Sequence, residues 1–591
     1  MRSPFKVTIG ILFFLVALSS ISLRQPGDSS GQLGGKKLAQ QADSLLKAVH
    51  VLQATPANVA STPLLQRRFR VVRLAYKRLE WAAEYFDPLT TRKVNGPPVP
   101  ETELSGQVIQ PDGLQVIEQD IFPRFDPAKK ADLKTLLNAL ATNAAEYSDF
   151  FRHADLQDWQ IIDAAKLEIF RIETLGLNDF DDPLSKNCFR ESAAALESVQ
   201  EVTRYYTKAI NFKPALLSLL KPAAFDRFDR AAFITSCANP LTRELTGLTI
   251  RLKLGDVRYN RLLNQDAPTL FDAGAFNRNA FIAAPGDSAT ALKIALGKKL
   301  FNDPILSGTN TRSCASCHQP QKAFTDGLTK NLDITGKKFI ARNTPTLINA
   351  ALQPAQFYDL RAPSLEDQVN DVVQNRDEMH GNMQVSIGKL WRDSVYRNLF
   401  GAAFPQQRRT AIDTFEVMNA LASYVRSLTV FNSRFDRYMR GDKGALSAAE
   451  IIGFNLFMGK ARCGTCHYLP LFSGALPPRY MQTEAEVIGV PQRKNGKRID
   501  PDPGLFDVQP EEFNRYAFKT TTVRNAAVTA PYMHNGVFST LEEVVDFYNK
   551  GGGVGSGVNV PNQTLSADHL NLSVKEKSEL IAFIRSLNSN F

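Results

Sequence analysis

The 591-residue sequence contains few cysteines, histidines and tryptophans: six, seven and three, respectively. Six cysteines are too few for a disulfide-built scaffold, and a chain of this length can bury several cores without such bonds. Four of the cysteines fall in two short motifs, which leaves only Cys188 and Cys237 outside them. These two could form a disulfide, but the sequence does not show whether they are close in space.

Basic residues are also not clustered: no run of five or more Lys or Arg occurs, although the formal net charge is +10. Nucleic-acid binding therefore has no local support. A diffuse basic balance better fits anionic cofactors or an acidic partner protein. Hydrophobic residues at 43% and charged residues at 22% exclude a disordered chain, a collagen-like fibre and a polytopic membrane protein.

Apolar residues form a sustained run near the N-terminus, from Val7 to Leu23, preceded by Arg2 and Lys6. This pattern is typical of an export signal. The run is about 17 residues long, at the short edge for a membrane span. Residues 1–25 are therefore predicted to be a cleaved signal peptide or a retained membrane anchor. Both alternatives place the rest of the chain outside the cytoplasm, in the periplasm.

Residues 33–255 are predicted to form a helical domain. Apolar residues recur at alternating spacings of three and four, which is one helical stripe: Leu65, Phe69, Val72, Tyr76, Leu79, Ala83 and Phe86. Similar patterns predict helices over 131–151, 163–175 and 190–210. Residues 87–112 are richer in Pro and Gly and are predicted to be a loop. The simplest interpretation is a bundle without chemistry of its own.

The two cysteine motifs read CASCH, from Cys314 to His318, and CGTCH, from Cys463 to His467. Attachment of haem c needs two thiols for the two vinyl groups and an adjacent His to ligate the iron. A redox C-x-x-C or a zinc ligand pair are the alternatives. The adjacent His argues against thioredoxin chemistry, and export argues against a cytosolic zinc module. The motifs predict two covalently bound haem c groups.

From about residue 286 onwards, Gly, Pro and Asn become frequent and the predicted helices become short. Capping boxes are predicted at Ser447/Glu450, Thr540/Glu543 and Ser573/Glu576. The predicted fold is mainly α, with the N-terminal helical bundle followed by two cytochrome c-like haem domains at 280–438 and 439–591.

The segments around the motifs resemble a known family. LFNDPILS (300–307) precedes the first motif and RNTPTL (342–347) follows it; APYMHNG (530–536) and TLEEVVDFY (540–548) follow the second. This order resembles the bacterial dihaem cytochrome c peroxidase and MauG family over about residues 284–591. The resemblance implies a peroxide-reactive haem on the first motif and an electron-transfer haem on the second.

The resemblance also implies which residues lie over the open face of the first haem. The matching positions are Gln368 and Glu378. Glu378 would take a proton from one peroxide oxygen and deliver it to the departing oxygen. Where the family usually has a Trp between the haems, this sequence has Tyr358, which is oxidised at a different potential and with loss of a proton.

Two further positions separate the branches of this family. Its peroxidases often carry a His that blocks the first iron at rest, but residues 327–338, which match that loop, contain none. His380 is a displaced alternative, and a first haem that is five-coordinate from the start resembles MauG. The distal ligand of the second haem is Met in the peroxidases and Tyr in MauG. Here the aligned residue is Tyr548, and Met533 is the nearby alternative.

The family also holds a calcium ion between its haem domains. The matching ligands are the Asn343 side chain and the main-chain carbonyls of Thr529 and Pro531. Oxygen ligands of this kind suit Ca²⁺.

The N-terminal region has a weaker resemblance of its own. YKRLEW (76–81), NGPP (95–98) and GLQVIE (113–118) look like an imelysin-type helical domain. That family's G-x-H-x-x-E motif has Gln115 in place of its His, so no metal site is carried over.

The sequence thus predicts an exported dihaem peroxidase that reduces hydrogen peroxide to water. Its electrons would come from a small cytochrome or cupredoxin through the second haem. A MauG-like oxidase of a protein side chain is the alternative, favoured by Tyr548 and the absent blocking His. A third hypothesis, a dihaem electron carrier or haem sensor, requires both irons to be closed by strong ligands.

Overall fold

A computed structural model describes residues 30–102, 107–255, 257, 259–405 and 411–591. The predicted signal peptide or anchor at residues 1–25 lies outside these ranges. Among the helices of the described ranges, none has the length and apolarity needed to cross a membrane.

The described chain is mainly helical, as predicted. The helices of the N-terminal region are α1 (Ser30–Gln53), α2 (Thr62–Phe86), α3 (Pro88–Asn95), α4 (Leu114–Ile121), α5 (Lys130–His153), α6 (Asp158–Arg171), α7 (Cys188–Thr203), α8 (Lys213–Leu220), α9 (Arg230–Phe233) and α10 (Asn239–Arg251). Single π-helical turns extend α6 over Ile172–Gly176 and α9 over Ile234–Ala238.

The two motif-bearing regions contain shorter helices. The first has α11 (Ala291–Asn302), α12 (Cys314–Cys317), α13 (Leu365–Gln374), α14 (Met383–Arg392), α15 (Ser394–Ala403), α16 (Thr414–Ser427) and α17 (Arg434–Met439). The second has α18 (Ala448–Met458), α19 (Leu541–Asn549), α20 (Gly552–Gly555) and α21 (Val574–Ser586). Two antiparallel pairs complete the described elements: β1 (Glu101–Thr102) with β2 (Val108–Ile109), and β3 (Ala485–Glu486) with β4 (Phe518–Lys519).

The predicted helical stripe of α2 faces the core. Leu65, Phe69, Val72, Tyr76 and Leu79 are all at most 1% exposed. The remaining predicted helices differ from the structure mainly at their ends: α7 stops at Thr203, before the predicted end at 210.

The prediction of a loop over residues 87–112 is wrong in part, because α3 lies within it. The Asp87 side chain accepts a hydrogen bond from the backbone N–H of Thr90 at 3.2 Å, and Pro88 occupies the first turn. Proline is favoured there, since the first-turn N–H groups have no partner within the helix. The proline that suggested a loop instead begins a helix.

The hydrophobic core is not divided in the way the three predicted domains suggest. Buried residues of α1 to α10 form one continuous cluster with those of α18 and α21, whereas residues 296–425 build a separate core. Residues 262–280, between the predicted domains, belong to the first cluster. The N-terminal region is thus packed onto the second-motif region, and the first-motif region packs within itself.

Buried ion pairs connect segments that are distant in sequence. Arg524 donates to both carboxylate oxygens of Asp436 at 2.7 and 3.0 Å, with both side chains 1% exposed. Arg342 donates to both oxygens of Asp502, at 2.7 and 2.8 Å, and to Asp359 at 2.5 Å. Through Arg342 the first-motif region is held against the second.

The N-terminal region has a charged interior. Arg73 is fully buried and pairs with Glu191, while Lys77 and Arg171 share the carboxylates of Glu80 and Asp181. Gln115, at the position matched to the imelysin His, donates to the Asn95 carbonyl at 3.1 Å.

We expect Arg524→Met to destabilise the protein by about 3–5 kcal/mol, because it leaves the Asp436 carboxylate buried without a cation. The matched control is Arg434→Met, whose half-exposed side chain pairs with Glu450; its cost should be about 0–1 kcal/mol. The midpoint of urea unfolding measures both.

The effect of Arg524→Met should also depend on pH. Burial alone would raise the pKa of Asp436, but Arg524 outweighs it and the pKa is lowered. The stability from this pair is present above the ordinary Asp range and is lost as the pH falls through the lowered pKa. The difference between wild type and variant should therefore shrink in acid. Equal costs for the two substitutions at neutral pH would contradict this account.

Candidate functional site

The second C-x-x-C-H motif forms a tight turn whose histidine is held by backbone carbonyls. Cys463–Thr465 is a single 3₁₀ turn, and the His467 N–H donates to the Cys463 carbonyl. Nδ1 of His467 lies 3.0 Å from the Thr521 carbonyl oxygen and 3.3 Å from that of Phe472. Because a carbonyl can only accept, Nδ1 carries the proton and the Nε2 lone pair is left to ligate a metal. Burial lowers the pKa of His467 to about 4 and keeps the ring neutral.

In the first motif the histidine is again held by a backbone carbonyl, but the cysteines lie on a short α-helix instead of a 3₁₀ turn. Cys314–Cys317 is the four-residue helix α12, preceded by Ser313 as its N-cap. Nδ1 of His318 lies 3.0 Å from the Phe324 carbonyl oxygen, and burial lowers the pKa of this ring as well. Both motifs therefore present a neutral imidazole in the same tautomer.

A cavity of about 940 Å³ adjoins the second motif and continues towards the first-motif region. Cys463, Cys466 and His467 line it on one side, with the apolar side chains of Phe457, Leu541, Val544 and Val545. Thr346, Leu347 and Gln368 of the first-motif region line its far part. Two unpaired thiols, a histidine with a free Nε2 and an apolar wall are the donor set and surroundings that haem c requires. These residues fit the cofactor.

Glu378 lies beside the first motif in a partly buried position. Its Oε1 accepts a hydrogen bond from Asn375 Nδ2 at 2.9 Å. Burial raises the pKa of Glu378, and the guanidinium groups of Arg361 and Arg312 offset part of that rise. Burial also raises the pKa of the Cys317 thiol to about 11, and the nearby Glu378 carboxylate adds to this. The structure thus brings the predicted acid–base residue close to the first attachment cysteine.

The two candidate ligands for the second iron both line the cavity, together with His467. Tyr548 is on α19, which Thr540 caps by accepting from the Glu543 N–H at 3.2 Å. Burial raises the pKa of Tyr548, and the neighbouring sulfurs of Cys466 and Cys463 add to the rise. Met533 has a left-handed backbone with φ of 74°. The structure brings both residues to this site, and the choice between them stays a prediction.

Gln368 and Tyr358 face the same cavity, between the two motifs. The Tyr358 hydroxyl is 3.5 Å from Asn343 Oδ1, and its backbone carbonyl accepts from the Lys519 N–H at 2.7 Å. Burial raises the pKa of Tyr358. Tyr358 therefore lies at the junction of the first-motif region with β4, and its predicted position between the haems stays a prediction.

The three predicted calcium ligands also line this cavity. The Asn343 N–H donates to the His534 carbonyl at 2.7 Å, and its Nδ2 donates to the Leu328 carbonyl at 2.8 Å. Asn343 therefore joins the first-motif region to the segment that carries Thr529 and Pro531. Calcium binding by these residues stays a prediction.

The segment matched to the family's His-bearing loop packs against the Glu378 segment. The Ile334 N–H donates to the Asp377 carbonyl at 2.8 Å, and Arg312 Nη2 donates to the Asp333 carbonyl at 2.8 Å. His380 is exposed, with a left-handed backbone at φ of 47°.

One charged residue at the site was missed by the sequence reasoning. Lys519 on β4 lines the cavity, and burial lowers its pKa to about 7. Its Nζ donates to the side chain of Gln353 and to the Ala355 carbonyl. A lone lysine in a strand carries no sequence signal of burial, so only the packing identifies it.

Comparison with known proteins finds a family and several relatives that match part of this chain. Residues 291–444 match the family described as di-haem cytochrome c peroxidase. The cytochrome-c peroxidase IdrP1 of Pseudomonas sp. (strain SCT) is 34% identical over 359 residues, which cover 55% of this chain and 91% of that protein. The methylamine utilization protein MauG of Methylorubrum extorquens is 35% identical over 300 residues, covering 51% of this chain and 79% of that protein.

Among solved structures, a MauG-like protein associated with microbial copper homeostasis is 28% identical and superposes with a TM-score of 0.46, covering 52% of this chain and 92% of that one. These two alignments cover about half of this chain and most of the length of each relative. With its two C-x-x-C-H motifs, this chain belongs to the dihaem cytochrome c peroxidase and MauG family of oxidoreductases.

Proposed function

We propose that the protein reduces hydrogen peroxide to water at the first haem site. The observation that carries this proposal is Glu378, a partly buried carboxyl group with a raised pKa beside the first attachment motif. Cys314, Cys317 and His318 would hold a haem here, which would supply the redox-active iron for peroxide reduction. Each turnover consumes two electrons and two protons per peroxide and yields two waters.

Glu378 moves the proton. Its pKa is raised by burial, which brings it closer to neutral pH and so improves its match to a proton-transfer role. Asn375 donates to Oε1 of the carboxylate, and Arg361 and Arg312 offset part of the rise in its pKa. Gln368, the other residue that the family resemblance assigns to this site, would help to position peroxide or water.

Electrons enter through the second haem site, at Cys463, Cys466 and His467. The donor is a small cytochrome c or cupredoxin in the periplasm, and the basic net charge favours an acidic partner. Tyr358 lies between the two sites and is the side chain placed to influence transfer between them. A calcium ion held by Asn343, Thr529 and Pro531 would fix the two regions relative to each other.

A MauG-like oxidation of a protein side chain is the second candidate. It is favoured by Tyr548, which shares the cavity with His467. An anionic oxygen ligand favours the higher oxidation states of iron, whereas a thioether favours the reduced state. A site with Tyr548 would thus hold an oxidising equivalent better than a site with Met533.

Steady-state consumption of peroxide with a reduced small cytochrome c or cupredoxin tests the proposed function. We expect turnover with two donor molecules oxidised per peroxide. No donor oxidation, together with peroxide-dependent modification of a partner protein, would favour the MauG-like function. Inertness of the fully assembled protein towards peroxide would favour an electron carrier or sensor.

We expect Glu378→Gln to reduce peroxide turnover by about 10²- to 10⁴-fold, the usual contribution of a general acid–base group, with haem content unchanged. In the wild type the rate should rise with pH as the carboxyl ionises, through a pKa above the ordinary range for Glu. The variant should lack this rise of the rate with pH. Asp377→Asn, one residue away and exposed, is the matched control and should retain its activity. Wild-type turnover in Glu378→Gln would exclude Glu378 as the proton-transfer group.

We also expect the fully oxidised protein to react with peroxide without prior reduction, because residues 327–338 offer no His to block the first iron. Absorption spectra before and after addition of peroxide measure this. Two low-spin, six-coordinate irons at rest and no reaction until half reduction would contradict it. In that case, restoration of the reaction by His380→Ala would identify His380 as the blocking ligand.

Tyr548→Met should raise the reduction potential of the second haem, because a thioether replaces an anionic oxygen. A redox titration with separate spectral signals for the two haems measures the change. Tyr548→Phe keeps the ring and removes the oxygen, so it separates ligation from packing. An unchanged potential in both variants would show that Tyr548 is a packing residue and would leave Met533 as the candidate ligand.

A further inference from the structure

A cluster of potential metal ligands lies in the N-terminal region, outside the haem sites. One carboxylate oxygen each from Asp179 and Asp182 and the sulfur of Cys188 lie within 4.8 Å of one another. The three residues are 3%, 1% and 5% exposed. Metal–ligand distances of about 2.0–2.3 Å place the ligand atoms of one ion within about 4.6 Å, so this separation suits a shared ion after a small adjustment.

The cluster is short of hydrogen-bond partners. Oδ1 of Asp179 and Oδ1 of Asp182 are both buried without a partner. Their other oxygens are used: Lys186 donates to Asp179 Oδ2 at 2.7 Å, and the Asn187 N–H donates to Asp182 Oδ2. Cys188 and Cys237 are free thiols, so no disulfide occupies Cys188. Buried carboxylate oxygens without partners are costly, and a cation bound between them would satisfy them.

The local charges fit a divalent cation. Arg230 is a buried cation close to Cys188 and Asp179; its Nε and Nη1 donate to the backbone carbonyls of Leu177, Phe225 and Phe228, and its Nη2 has no partner. Lys186 is half exposed at the edge. Two carboxylates and one thiolate carry three negative charges. Lys186 pairs with Asp179 at 2.7 Å, and Arg230 lies close to Cys188 and Asp179. A divalent cation bound by the three ligands would compensate the negative charge that these two cations leave.

We propose that Asp179, Asp182 and Cys188 bind one Zn²⁺ ion. A thiolate with two carboxylates suits a borderline ion, whereas Ca²⁺ and Mg²⁺ require shells made of oxygen. Binding releases the thiol proton, and the ion neutralises both carboxylates. This site is distinct from the haem and calcium sites and from the position of Gln115.

The ion would order the segment that supports the second haem motif. Asn178 Nδ2, next to Asp179, donates to the Gly464 carbonyl inside the CGTCH turn at 2.8 Å. The Phe180 ring contacts the Tyr468 ring edge-on at 5.6 Å, directly after His467. The Arg230 N–H donates to Asn455 Oδ1 on α18 at 2.9 Å. The N-terminal region would then act as a metal-ordered platform for the second haem motif.

Zinc K-edge X-ray absorption of the full-length holoprotein tests this site, after removal of loose metal with a chelator and dialysis against Zn²⁺. We expect one zinc per chain, with one sulfur at about 2.3 Å and the remaining ligands oxygen. The zinc edge is separate from that of the haem iron. No retained zinc, or zinc without a sulfur ligand, would overturn the proposal.

Two variants and one control identify the ligands. Asp182→Asn and Cys188→Ser should each lose the bound zinc, as measured by metal analysis, while two haems remain attached. Cys237→Ser changes a thiol outside the cluster, so this variant should retain the bound zinc. Retention of zinc and its sulfur ligand in Cys188→Ser would overturn the assignment. If a variant does not fold, the sulfur distance in the wild-type spectrum still decides the question.

Discussion

The histidine of each motif is oriented by hydrogen bonds to backbone carbonyls, and the arrangement of the whole site depends on this constraint. His467 is held by Thr521 and His318 by Phe324, in both cases through Nδ1. Each bond fixes the tautomer, the ring plane and the direction of Nε2. Burial lowers the pKa of both rings, so each is neutral and ready to ligate iron. The direction of each Nε2 sets where an iron would be bound. The cavity and the candidate residues Glu378 and Tyr548 are interpreted relative to these two positions.

The second constraint is the way the regions are packed together. The N-terminal helices share a core with α18 and α21, and Asn178 reaches the turn between Cys463 and Cys466. Arg342 ties the first-motif region to Asp502 of the second. The second-motif site therefore contacts both the N-terminal region and the first-motif region, whereas the first-motif region has a core of its own. This arrangement gives the N-terminal region a physical role in supporting the second haem site, without requiring a reaction of its own.

The sequence predicted the features that depend on local pattern. The mainly α fold was predicted correctly, and so were the capping boxes at Ser447/Glu450 and Ser573/Glu576. At Thr540 the N-cap is present, but Glu543 accepts from the Ser539 N–H instead of closing the box. Hydrophobic periodicity shows that one face of a helix is buried, but it does not show which other segment covers that face. The core that the N-terminal helices share with α18 and α21 therefore could not be predicted. The position of Lys519 in the cavity could not be predicted either, because a single lysine carries no such pattern. The cluster of Asp179, Asp182 and Cys188 could not be predicted either. It forms because the loop that carries the two aspartates folds back against Cys188, the first residue of α7. The functional residues around Glu378 and Tyr548 came from family resemblance, because neither position carries a local signal.

The central claim is that one chain holds two haem c groups, at Cys314/Cys317 and at Cys463/Cys466. Peptide mapping by mass spectrometry of the denatured, protease-digested protein tests it most directly. The account predicts two haem-bearing peptides, one for each C-x-x-C-H motif, when the protein is exported with a working haem-attachment system. A single haem peptide, or two motif peptides with free thiols, would contradict it.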